Sequence, residues 1–267
     1  MAHDCIAEIE IPHDLLVQNY TDPIVAIVSV TYADLMENLT NNDYFNDKAI
    51  LSPTIKVVNQ VNEFMCSMIP GDSVEYFSSD SICKSSQDSD GFENLHTIEF
   101  LNTISSSGLP MRKLTLKVGV PIMLLRNIDQ ASGLCKGTRL RITHLGKSVI
   151  ESITLNGSNP SEKVLIHRMD MNPSDSRLPF QMNRRQFPIV LSFAMTINKS
   201  QGQCVGLYLP KPIFTHDQLY VALSRLKSMD VLKILLHDNM DKHVKTTTNV
   251  VYREVFRNLS VGGRGEE

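Results

Sequence analysis

The chain has 267 residues, 42% hydrophobic and 21% charged, with a net charge of −3 at pH 7. That composition excludes a disordered chain and supplies enough apolar material for one large or two small cores. The charge is unevenly placed, with 3 Lys and Arg against 17 Asp and Glu in residues 1–110 and 23 against 12 in residues 111–267, so the two halves face different partners.

Near the N-terminus a helical pattern starts at Asp22, with Pro23 at a favourable first helical position, and runs through Ile24, Ile27, Val28 and Leu35. Residues 78–108, rich in Ser and Asp, read as a loop or edge region.

Residues 111–148 carry Arg112, Lys113, Lys117, Arg126, Lys136, Arg139, Arg141 and Lys147 against the single acid Asp129. Such a stretch either is a solvated face or attracts a phosphate backbone in a salt-sensitive way. Short strands are expected at Leu114–Val118, Ile122–Leu125, Thr138–Thr143, Ser148–Leu155 and Lys163–Arg168, separated by turn signals, a pattern that fits a small β-barrel. Gly146-Lys147-Ser148 reads as a hairpin turn within that series. Of the nearby aromatic residues, Phe180 and Phe187 are available for base stacking but fit core packing better.

The C-terminal part alternates differently. Val190 to Ala194 is of strand length, and Thr196 to Gln201 is a polar stretch closed by Gly202. A second apolar run covers Val205 to Leu209, and Thr215 with Gln218 forms a capping-box pattern. Leu219, Ala222, Leu223 and Leu226 then make one apolar stripe, and Val231 to Leu236 is a further strand. Strand, helix and strand in alternation argue for a parallel sheet covered by helices. Gln218 and Arg225 share a face away from the stripe. Arg225 is either a surface arginine or a phosphate contact, for which a planar guanidinium is well shaped. Thr196, Lys199, Ser200 and Gln201, following a strand, are candidates for phosphate or nucleic-acid contacts or form a capped surface loop.

The strings Phe193 to Gly202 and Gln218 to Arg225 resemble the fifth and sixth helicase motifs of the petite-integration-frequency (PIF) family of superfamily-one DNA helicases. Lys48 to Thr54, Leu116 to Asn127 and Gly133 to Leu140 agree in order and spacing, and the similarity runs from about Ile9 to Leu259. The resemblance implies an α/β fold: the second RecA-like domain of a P-loop NTPase helicase, a parallel sheet with helices, carrying an inserted small β-barrel. Residues 1–47 would be the segment joining it to a first RecA-like domain. Residues 48–110 and 186–260 would form the RecA-like domain, 111–185 the barrel and 261–267 a tail.

The same resemblance implies ATP-driven 5′-to-3′ DNA unwinding with ATP and Mg²⁺, in repair, recombination or telomere maintenance. Arg225 would be the arginine finger, with Gln218, Gly202 and Gln201 close to the nucleotide. Thr54, Thr196, Lys199, Ser200, Arg126, Lys136, Thr138, Arg139 and Arg141 would meet DNA, with single strands as the expected partner. Lys136 stands where the family usually has Asn. No Gly-x-x-x-x-Gly-Lys-Ser/Thr phosphate loop occurs in these residues, so no ATPase is expected of the chain alone, and a separate N-terminal helicase half is an implied partner. A non-catalytic nucleic-acid-binding remnant and an interaction module are the alternatives. Five cysteines without a Cys-x-x-Cys pair, histidines without ligand spacing and no long apolar run predict an intracellular, reducing environment, no metal site and no membrane partner. Nucleus or mitochondrion is what the family implies.

Overall fold

The computed structural model describes residues 5–82, 104, 108–155, 163–173, 182–199, 206–210, 218–224, 232–237 and 246–251. In chain order the elements are β1 (Cys5–Glu10), α1 (Pro23–Thr31), α2 (Asn42–Asn46), β2 (Ile50–Ser52), α3 (Ile55–Met68), β3 (Val74–Phe77) and β4 (Ser79–Ile82). There follow β5 (Lys113–Leu116), β6 (Pro121–Leu124), β7 (Arg139–Leu145), β8 (Val149–Thr154), β9 (Lys163–His167), β10 (Met169–Met171), β11 (Met182–Gln186) and β12 (Ile189–Leu191). The last are β13 (Ala194–Thr196), β14 (Gly206–Leu209), α4 (Gln218–Ser224), β15 (Lys233–Leu236) and β16 (Thr246–Val251). The chain divides into one compact unit of residues 1–33, 47–61 and 194–267 and another of residues 34–46 and 62–193.

The first unit is built on a parallel sheet in the order β13-β2-β14-β15. Strands covered on both faces need near-continuous apolar sequence, and Ile50, Leu51 and all of β14 are buried accordingly. Ala49, Leu51, Met195, Leu207, Leu209, Ile234 and Leu236 form its core with Leu219 and Ala222 of α4. Helix α1 packs on β14 and β15. Its start is fixed as the sequence predicts: Pro23 needs no amide partner, and the Asp22 carboxylate accepts from the amides of Ile24 at 2.7 Å and Val25 at 3.1 Å. The helix stops at Thr31, short of Leu35. Tyr32 leaves helical geometry, is itself buried and donates its hydroxyl to the Lys48 carbonyl at 3.2 Å. The helix and sheet approach closely at Gly206, where an added Cβ would lie 2.3 Å from Thr31 Oγ1. Strands β1 and β16 form a separate antiparallel pair.

The second unit is antiparallel. One sheet has the order β12-β6-β7-β8-β9, another β10-β11-β4, and β3 pairs with β5. The five strands expected between Leu114 and Arg168 are all present, with β3, β4 and β12 drawn in from outside residues 111–185. Among the described residues no pairing closes these strands into a ring, since the largest sheet ends on β12 and β9. Gly146 to Ser148 turn β7 into β8, closed by the Gly146 amide on the Val149 carbonyl at 3.0 Å. Phe187 is wholly buried, edge-on to Tyr76 with ring centroids 5.0 Å apart.

The apolar run Val190 to Ala194 is not one strand. Ile189–Leu191 pairs antiparallel with β6, Ala194–Thr196 pairs parallel with β2, and buried Ser192 and Phe193 lie between. The Ser192 amide donates to the Pro121 carbonyl at 3.0 Å, which ends the antiparallel pairing before the chain leaves the unit.

Candidate nucleic-acid interface

The connection from β6 to β7 is organised by its own polar groups. Asp129 caps the turn: one carboxylate oxygen accepts from the amides of Ala131 and Ser132, and the other from the Ser132 hydroxyl at 2.7 Å. The Ser132 hydroxyl, then the Ser132 and Ala131 amides, hold this exposed carboxyl below its ordinary pKa. The Leu134 amide returns to the Asp129 carbonyl at 2.7 Å. Gly133 and Gly137 adopt φ of +75° and +97°, which a residue with a Cβ rarely takes.

The Asn127 side chain accepts from the Lys136 amide at 2.7 Å, so the backbone at 136 is fixed while the exposed Lys136 side chain is left to solvent. Thr138 Oγ1 accepts from the Cys135 amide and donates to the Gly133 carbonyl. At the base of the hairpin Arg126 donates to the Asn172 carbonyl at 3.2 Å, and half-buried Arg141 donates to Asn42 Oδ1 at 2.8 Å. Burial lowers the Arg141 guanidinium pKa from its ordinary value. A hairpin head of this kind can present a cation at a fixed position, which is what backbone-phosphate recognition requires.

Arg139 does not belong to this surface. It is 2% exposed, and its guanidinium donates to the carbonyls of Phe45 at 2.8 Å and Ser192 at 2.9 Å. The expected DNA contact is therefore corrected, because β7 turns this residue inward and its donors are engaged within the fold. Thr138 also spends its hydroxyl on the turn, so its part in any interface is to shape the loop.

In the parallel-sheet unit the candidates gather at the carboxyl edge of the strands. Thr196 pairs in register with Ser52, and Thr54, two residues beyond Ser52, is exposed immediately before α3. A short 3-10 turn, Ile197–Lys199, follows β13 and carries Lys199 from the same edge. Ser52 is fully buried with no hydrogen-bond partner for its hydroxyl among the described residues. Helix α4 begins at Gln218, and Leu219 and Ala222 face the core as the stripe predicts. Arg225, Ser200, Gln201, Gly202, Thr215 and Phe180 lie outside the described residues, and so do the tail and most of the polar stretch before residue 108. The described residues hold no cluster of metal-ligating side chains and no helix long and apolar enough to cross a membrane.

Sequence reasoning missed Asn127, Asp129 and Asn42, the groups that hold the basic residues in place. Asp129-x-x-Ser132 was the available signal, an acidic residue three positions before a hydroxyl at a turn. Nothing local marks Asn42, which meets Arg141 from far away in sequence.

The family model described as DNA helicase Pif1, 2B domain, matches residues 99–145, which include this hairpin. The ATP-dependent DNA helicase PIF1 of Homo sapiens is 31% identical over 148 residues, 53% of this chain and 22% of its own length. That of Xenopus laevis is 28% identical over 190 residues, 68% of this chain and 26% of its own. The chain thus spans about a quarter or less of these curated relatives. Among solved structures, Pif1 helicase from Candida albicans matches with a TM-score of 0.53 at 22% identity, over 76% of this chain and 52% of that one. Bacteroides Pif1 bound to ssDNA matches with a TM-score of 0.50 at 20% identity, over 84% of this chain and 50% of that one. Over the aligned residues the fold is that of these RecA-like helicases.

Proposed function

From a relative of the Pif1 DNA helicases that carries their 2B-domain signature, we propose a nucleic-acid-gripping portion of an ATP-dependent 5′-to-3′ DNA helicase. The observation that carries this reading is the β6–β7 hairpin, which lies in the segment matched by the 2B model and holds Lys136 outward on a backbone fixed by Asn127, Asp129 and Thr138. Lys136, Arg126 and Arg141 supply a sequence-independent grip on a single strand. Thr54, Thr196 and Lys199, at or just after the carboxyl edge of the parallel sheet, supply a second set of contacts together with Ser200, the next residue in sequence.

Arg225 is the arginine finger in this reading, with Gln218, Gly202 and Gln201 beside the nucleotide. An arginine finger completes a site that a phosphate loop and magnesium ligands build. The chain contains no such loop, so ATP and Mg²⁺ act here only with a complementary helicase half. We assign the protein to a DNA-containing compartment, nucleus or mitochondrion.

The test is a salt titration of binding to labelled single-stranded DNA. Binding is expected at low salt, falling steeply as salt rises, and weakened by Lys136→Glu and Arg126→Glu. Absence of binding at low salt overturns the reading. The chain alone is expected to show no ATPase above background with or without DNA, and turnover lost on Arg225→Ala would reveal a nucleotide site of its own.

A further inference from the structure

The chain leaves the antiparallel unit after Asn46 and again after Phe193. Both exits are held by one side chain. Arg139, at the start of β7, donates through Nη1 to the carbonyls of Phe45 at 2.8 Å and Asn46 at 3.4 Å. Through Nη2 and Nε it donates to the Ser192 carbonyl at 2.9 Å and the Ser192 hydroxyl at 3.4 Å. Phe45 and Phe193 are wholly buried and meet edge-on, with centroids 6.1 Å apart. Asn62, where the chain re-enters the unit, donates to the carbonyl of Leu191, the neighbour of Ser192, at 3.2 Å.

A charge taken out of water must be surrounded by acceptors, and here they include main-chain carbonyls and the Ser192 hydroxyl at the two points where the chain departs. A fork of fixed geometry can bridge two such points, which the single ammonium of lysine cannot do equally well. β7 lies between β6 and β8, and Arg139 directly follows the basic hairpin head. We infer that Arg139 is a positioning residue that clamps both chain exits to β7, so that the hairpin head, β7 and the two exits move as one body. This rests on contacts inside one unit and stands whether or not the hairpin binds DNA.

Amide hydrogen exchange of the full chain tests it. In the unaltered protein the amides of Phe45, Asn46 and Ser192 should open together with those of β7, with the same dependence on denaturant. In Arg139→Lys they should exchange about ten- to a hundredfold faster at both exits at once, while β8–β9 amides keep their protection. Exits that open independently of β7 in the unaltered protein overturn the proposal, even if the variant does not fold. So does a variant in which one exit loosens alone. A salt titration of DNA binding on the unaltered chain reports the other reading separately.

Discussion

Arg184 and Asp80 face each other across β11 and β4 with side chains 2% and 1% exposed. The guanidinium donates to Asp80 through Nη2 at 2.7 Å and through Nε, and Nη1 and Nη2 also meet the carbonyls of Pro110 and Ile104. Removing one member of such a pair strands the other charge, so Arg184→Met is expected to cost about 3–5 kcal/mol in urea unfolding. At Gly206 the limit is space. An alanine there must displace Thr31 Oγ1, itself buried, and crowd Ile27 and Ile50, so Gly206→Ala should lower stability by about 1–3 kcal/mol by the same measurement. Tyr208 of β14 adds a pH dependence: burial first, then Tyr20 and Asp22, push its hydroxyl from 10.0 up to about 12. A raised folded-state value means the contribution is complete below pH 10 and is lost as pH rises towards about 12. Alkaline unfolding curves should therefore shift upward in pH for Tyr208→Phe.

Helix α1 depends on its first turn. It carries no acid in that turn and no base in its last, so the Asp22 cap has no electrostatic substitute within the helix. Asp22→Ala should cost about 1 kcal/mol in thermal or urea unfolding, and Asp22→Ser should recover most of it. This start was readable because cap, proline and apolar spacing are local signals, as were the strands of the antiparallel unit with their period of two. The end of α1 was not readable, because Tyr32 leaves the helix to reach Lys48. The two strands inside Val190 to Ala194 were also hidden, since hydrophobicity marks burial and says nothing of which sheet receives each residue. In the basic stretch, the inward turn of Arg139 depends on Phe45, Asn46 and Ser192, all distant in sequence. A count of charges treats Arg139 and Lys136 alike, and only tertiary contacts separate them.

At the scale of the molecule, charge is segregated along the chain, with acids dominating residues 1–110 and bases the remainder. Long-range attraction of a polyanion to the basic part is screened by salt over roughly a 10 Å Debye length at 0.1 M. If the chain grips DNA as proposed, association rates should fall with salt, and Lys136→Glu should reduce the slope of affinity against salt. The parallel sheet also imposes an order on synthesis. Ile50 and Leu51 of β2 pair with Ala194, Met195, Gly206 and Leu207, so β2 waits on the ribosome for partners made long after it. Contacts of such separation fold slowly and leave apolar strand edges open meanwhile. The nascent chain, with β2 translated and β13 still to come, is thus expected to hold an apolar strand edge open to wrong partners.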